Sequence, residues 1–240
     1  MDFDHNSSIP WPPIYTVKKH PRAKHIRLKA SIQRGLELIV PHRFNLKDIP
    51  GILEKNKQWI EKQLLHFQSR LLAAPADVLP DQINLQAINQ VWNVQYIESD
   101  TKLQILQRPH QELVLLGNTQ NKTTCKKTLV TWIKEQSKIH LLSQLKTLSE
   151  QTELPFSKFT IRDQLTRWGS CSRNKSINLN YKLIFFPPHL ATHIMIHELC
   201  HTVHLNHSEQ FWQWVAKFDM NWKLHRREAK QANKFIPGWV

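Results

Sequence analysis

The chain has 240 residues, 40% of them hydrophobic and nine of them tryptophan, enough for one large globular domain or two small ones. It has no run of about 20 apolar residues, which excludes a membrane-spanning helix. Its three cysteines, Cys125, Cys171 and Cys200, show no C-x-x-C pairing, which excludes a thiolate zinc ribbon within the chain and fits a reducing compartment. Net charge is +14 and uneven: residues 1–120 hold 15 Lys/Arg and 11 Asp/Glu, whereas residues 121–240 hold 18 and 8. A basic C-terminal half attracts nucleic acid or an acidic protein, with a strength that fades in salt.

Residues 1–13, polar and then Pro10-Trp11-Pro12-Pro13, read as a flexible tail. With no charged-then-apolar leader pattern at the start, the expected location is cytoplasmic. From Ile14 to Val40 the pattern is that of strands. His25–Ile32 alternates polar and apolar, Arg34-Gly35 is a turn, and Leu36–Val40 returns. Arg27 and Lys29 then share an open, solvated face. From Leu46 to about Leu72 the period is helical, with Ile52, Trp59, Ile60, Leu64, Phe67 and Leu71 in register, and Ala73–Asp77 ends the run.

Residues 83–116 read as short strands, Val91–Tyr96 and Glu112–Leu116 the clearest. A second long helix is expected from about Thr124 to Glu150, with Leu129, Trp132, Ile133, Ile139, Leu142 and Leu145 buried and Thr123 or Thr124 as its cap. Phe156–Leu165 and Ser176–Tyr181 are the next strands, separated by Arg167-Trp168-Gly169-Ser170-Cys171-Ser172. Pro187-Pro188 opens the next helix, where proline is tolerated. The last helix is expected to carry Phe211, Trp212, Val215 and Phe218 and then the basic run Lys223, Arg226, Arg227, Lys230 and Lys234.

Between these helices stands His197-Glu198-Leu199-Cys200-His201, the H-E-x-x-H pattern of zinc hydrolases. At about 100° per residue the two histidines fall on one helix face, a turn apart, so both can reach one zinc ion. Glu198 points elsewhere and can hold a water without competing for the metal. His207 is the best candidate for a third ligand. A continuous helix would carry it about 9 Å beyond His201. The helix is therefore expected to end near Leu205–Asn206, with Asn206 taking the left-handed conformation. Glu209 or Glu228 in place of His207 is the alternative ligand. Thr192, Met195, Ile196, Leu199, Thr202 and Val203 form the arc that would bury against a sheet.

Taken in order, Arg167–Ser172, Ile177-Asn178-Leu179-Asn180, Pro187, His197–His201, Asn206-His207-Ser208 and Phe211-Trp212 resemble the YgjP-like metallopeptidase family. That family is related to the zincins and, more distantly, to SprT-type proteases. The likeness spans about residues 14–235. It departs at Thr192 and His193, often Asp and Tyr in the family, and at Cys200, where Ala is common. The resemblance implies an α+β fold. Its catalytic domain, residues 121–240, would be zincin-like, an active-site helix packed on a small twisted sheet, preceded by a β-rich and helical region over 14–120. It also implies zinc held by His197, His201 and His207, with Glu198 as the catalytic carboxylate and a polypeptide as substrate.

In such a mechanism Glu198 takes a proton from a zinc-activated water and returns it to the leaving amine. Tyr181, His204 and Arg167 are the candidates for a further donor to the oxyanion. The strand Ile177–Tyr181 is the expected edge to which an extended substrate adds. Trp168–Cys171 is expected to shape the cleft wall. Two rivals remain open: a non-catalytic zinc protein that binds nucleic acid through the basic half, and a protease recruited to DNA.

Overall fold

The computed structural model describes residues 10–31, 35–73 and 78–240. The chain divides into two compact units, Met1–Ala76 and Asp77–Val240.

In the first unit a central strand is flanked by one parallel and one antiparallel neighbour. Strands β1 (Tyr15–His20), β2 (Arg27–Ser31) and β3 (Gly35–Pro41) lie in the order β1-β3-β2. Leu36, Leu38 and Val40 of β3 pack with Ile49, Leu53 and Ile60 from helices α1 (Ile49–Lys55) and α2 (Lys57–Ala73). Arg27 and Lys29 are exposed, as their alternation predicts. The single helix expected over 46–72 is broken at Asn56, whose side-chain amide donates to the Ile52 carbonyl (2.8 Å). Residues 10–13 are not a tail. Trp11 Nε1 donates to Glu54 (2.8 Å) and Pro13 is buried. Residues 1–9, the turn residue Arg34 and Ala74–Asp77 lie outside the described residues.

The second unit starts well before residue 121. Strands β4 (Gln82–Leu85), β5 (Gln90–Glu98), β6 (Gln104–Arg108) and β7 (Glu112–Gly117) form a sheet of order β4-β5-β7-β6. Its apolar face packs on the first half of helix α3 (Lys122–Thr152) through Leu113, Leu115, Leu129, Trp132 and Ile133. The cap of α3 is Asn121, whose Oδ1 accepts the Thr124 N–H (3.0 Å), rather than either threonine. The expected boundary at 120/121 thus falls inside a continuous core, and the compact units part at 76/77 instead.

The second half of α3 covers a smaller sheet: β8 (Lys158–Arg162), β9 (Gly169–Cys171) and β10 (Ser176–Asn180), in the order β8-β10-β9. Strand β10 is therefore the middle strand, not the expected edge. The edge beside the histidine helix is β9. Trp168 C=O accepts from Asn180 N–H (2.8 Å) and Ser172 N–H donates to Ser176 C=O (3.0 Å). Even-numbered residues of this strand thus bond to β10, and the main-chain groups of Gly169 and Cys171 face away from it.

After a tight 3-10 turn at residues 181–185 come α4 (Pro188–Cys200), α5 (Glu209–Phe218) and α6 (Trp222–Ala229). Helix α4 is the centre of the unit. Leu190, Met195, Ile196, Leu199 and Cys200 of α4 pack against Ile177 and Leu179 of β10, Leu141 and Leu145 of α3, and Phe211 and Val215 of α5. The single last helix expected from sequence is two, turned at Asp219–Asn221.

Candidate metal centre

Helix α4 ends at Cys200, earlier than the spacing suggests. Thr202 N–H bonds to Leu199 C=O (2.9 Å), and His204 N–H to Cys200 C=O (3.0 Å). His201 Nδ1 donates to His204 C=O (2.8 Å), drawing the chain back beneath its own ring. Asn206 has no positive φ, so the left-handed turn expected there is not what reverses the chain. Ser208 then caps α5 by accepting the Phe211 N–H (3.4 Å). His207 is thereby fixed just ahead of a rigid element.

The result is a near-equilateral triangle of imidazoles. Ring centroids are 4.8 Å apart for His197–His201, 5.0 Å for His197–His207 and 4.8 Å for His201–His207. His197 Nε2 and His207 Nε2 are 3.0 Å apart. Phe211, fully buried, supports all three rings, stacked on His201 at 4.4 Å and edge-on to the other two at 4.9 Å. Trp212 stacks on His207 (5.6 Å) and Trp222 on Trp212 (4.7 Å). Because His201 Nδ1 is spent on a carbonyl, Nε2 is the nitrogen it presents.

The electrostatics keep these rings neutral. Burial and the neighbouring His201, His207, His193 and Arg226 push His197 down to about 3. Burial also lowers His201 and His207, with the His204 carbonyl partly opposing it at the first and Arg226 adding to it at the second. Neutral imidazole is the form that donates to a metal.

Glu198 is the other half of the centre. It is 5% exposed, and its Oε2 is buried without a hydrogen-bond partner among the described residues. Burial raises its carboxyl to about 8 against the opposing pull of Arg167. Gly169 on β9 lies directly against it: a Cβ there would come within 2.6 Å of Glu198 Cγ and Oε1. The side chain is missing from Gly169 because the acid occupies its place.

A cleft of about 340 Å³ opens over this group. Arg167, Trp168 and Gly169 line it together with His197, Glu198 and His207, and His193, Trp212 and Arg226 are also among its lining residues. Of the three candidate oxyanion donors, Arg167 alone is in the cleft wall. Tyr181 is buried in the other core, among Ile184, Phe185 and Ile133, with its phenol held above the usual range by burial. His204 offers its carbonyl to His201, while its ring lies beside Trp214 at 6.1 Å. Neither Glu209 nor Glu228 joins the imidazoles. Glu209 is exposed on the first turn of α5, and Glu228 pairs with His189 (3.0 Å). Sequence reading missed Arg226, whose guanidinium lies over Trp212 at 4.3 Å, and Asp219, which bonds to His193 (2.6 Å) and His225 (2.9 Å). The basic run gives no sign of which arginine reaches the cleft.

The donor set fits a divalent ion: three neutral nitrogens converge, and the adjacent buried acid has a vacant oxygen. That combination is the one by which a metallohydrolase centre would hold an ion and a water. The chain belongs to the YgjP-like family, whose metallopeptidase-domain profile matches residues 24–232. That family points to a zinc metallopeptidase. No curated protein and no solved structure matches the chain. No described helix is long and apolar enough to cross a membrane.

Proposed function

We propose that the chain is a zinc-dependent peptidase of zincin-like design. His197, His201 and His207 hold the ion, and Glu198 is the proton carrier. The observation that carries this reading is the unpartnered Glu198 Oε2 beside three convergent imidazoles. Leaving a buried carboxylate oxygen unsatisfied is costly. It is sustained where a water or a reacting proton takes the place of the missing donor.

Zinc, when bound, supplies a Lewis acid that acidifies a water and polarises a carbonyl. The chain's own residues do the rest. Glu198, whose carboxyl burial holds at about 8 in the metal-free chain, would be drawn into its ionised form by the bound dication, and would then accept a proton at Oε2 and release it to the departing amine. The His204 carbonyl holds His201 in one tautomer. Phe211 and Trp212 keep the rings from turning. Arg167, whose charge acts on Glu198, is the donor placed to meet developing negative charge. An extended polypeptide adds to the outward main-chain groups of Gly169 and Cys171 on β9, so recognition is mainly through backbone.

The test is Glu198→Gln. Bound zinc should be unchanged and cleavage of an unfolded protein abolished. Cleavage that survives with zinc in place would rule the mechanism out.

A second reading, recruitment to DNA, has its own observation. Lys223, Arg226, Arg227, Lys230 and Lys234 are exposed on α6 and just after it, and Arg226 belongs to the cleft. On this reading, cleavage of a DNA-bound basic protein exceeds cleavage of the same protein free, and the excess disappears as salt rises. Equal rates at low salt would leave the basic half as a solvated face. A non-catalytic zinc protein would bind DNA yet cleave neither.

A further inference from the structure

We propose that His193, Asp219 and His225 form a second site for a divalent first-row transition ion, separate from the one built by the H-E-x-x-H helix turn. The residues come from three places. His193 lies on α4 one turn before His197, Asp219 sits at the corner between α5 and α6, and His225 is on α6. Two imidazoles and one carboxylate make a donor set that such ions take with open positions left over.

The convergence is tight. Both rings aim Nδ1 at the same oxygen, Asp219 Oδ2, at 2.6 Å for His193 and 2.9 Å for His225. The ring centroids are 5.7 Å apart. Ligands about 2.0–2.1 Å from a shared ion lie about 3 Å from one another. The His197–His207 contact of 3.0 Å in the first centre shows the same spacing. Asp219 cannot relieve the crowding by giving one oxygen to each ring, because its Oδ1 already accepts the Asn221 N–H (3.1 Å).

Burial strengthens the case. His193 is 2% exposed and Asp219 8% exposed, and no lysine or arginine forms an ion pair with this carboxylate among the described residues. A buried anion needs a compensating charge, and among the described residues the side chains that pair with it are two imidazoles. A dication meets the need. His189 packs on His225 at 5.0 Å and is itself held by Glu228 (3.0 Å), a second acid near the site. Arg226 lies in the cleft beside His193, His197 and His207, so its charge bears on both centres. The ion would tie α4 to the α5–α6 corner and so fix the wall that carries Trp212, Trp222 and Arg226.

The experiment counts cobalt. The full chain is stripped with a chelator, reloaded with Co2+ in a weakly chelating buffer that empties surface histidines, desalted, and assayed by elemental analysis. Two equivalents are expected for the wild type, one for His225→Ala, one for Asp219→Asn and one for His201→Ala. A wild type that holds one equivalent, or a His225→Ala chain that still holds two, overturns the proposal. His225 is the least buried member of the cluster, so that variant decides the matter even if Asp219→Asn does not fold. The count needs no activity, and its outcome is independent of whether the first centre cleaves peptides.

Discussion

Two clusters hang from the same helix, and each contains one buried acid. Around His197, His201 and His207 the acid is Glu198, with an oxygen that no donor reaches among the described residues. Around His193 and His225 the acid is Asp219, whose two oxygens accept from a backbone N–H and two imidazoles. Both are under a tenth exposed. The difference teaches what burial alone does not: a carboxylate on which imidazoles from two helices converge ties those helices together, directly or through an ion, and one left short is available to move a proton.

The largest effect expected from breaking this contrast is at Gly169. In Gly169→Ala the new methyl must displace Glu198, the atoms it would meet lying as near as 2.6 Å. A displacement of about 1 Å at a catalytic group costs on the order of 10²-fold. The peptidase rate should fall by that factor with zinc content and circular dichroism unchanged, and a rate within twofold of wild type would show that the acid need not stay where it is.

Next in size is Asp219→Asn. In the metal-free protein it removes a charge-assisted acceptor from one buried and one partly buried imidazole, which should cost about 1–3 kcal/mol, read as a lower denaturation midpoint. The same acid-to-amide change at Glu198 should have the opposite sign in the metal-free protein. Glu198 is raised to about 8 when folded, so the stability it has while protonated is full below its unfolded value and is lost as pH climbs to about 8. Metal-free Glu198→Gln should therefore match wild type at acid pH and exceed it increasingly towards pH 8, as seen in melting curves across that range. His197 works the other way. Depressed to about 3, it contributes stability above its unfolded value that disappears on acidification. The smallest effect belongs to Arg226→Gln, which removes a cleft cation without touching either acid. KM for peptides with acidic residues should rise a few-fold with kcat held, measured against a neutral peptide of the same length.

The first cluster was legible in the sequence because its information is local. His197 and His201 are a helical turn apart, and His207 could be placed by asking where the chain must reverse. The manner of reversal was not legible, since it depends on His201 bonding a carbonyl three residues on. The second cluster was hidden by an apparently continuous helix. Asp219 acts at the break between α5 and α6, where the apolar stripe of one helix runs into the basic run of the next. Tyr181 was misplaced for a related reason: a strand's alternation assigns a face only while the strand lasts, and the chain turns into a 3-10 helix at that residue. Alternation also says nothing of strand order, so β10 could be mistaken for the edge that β9 occupies.

The stacking of Trp212 on the His207 ring has a practical side. An indole in face contact with one imidazole of the triangle will change its emission when that imidazole becomes a ligand. A paramagnetic ion there would darken it outright. The protein thus carries an optical gauge of its own loading, and replacing Trp212 with phenylalanine would remove that signal from the other eight indoles.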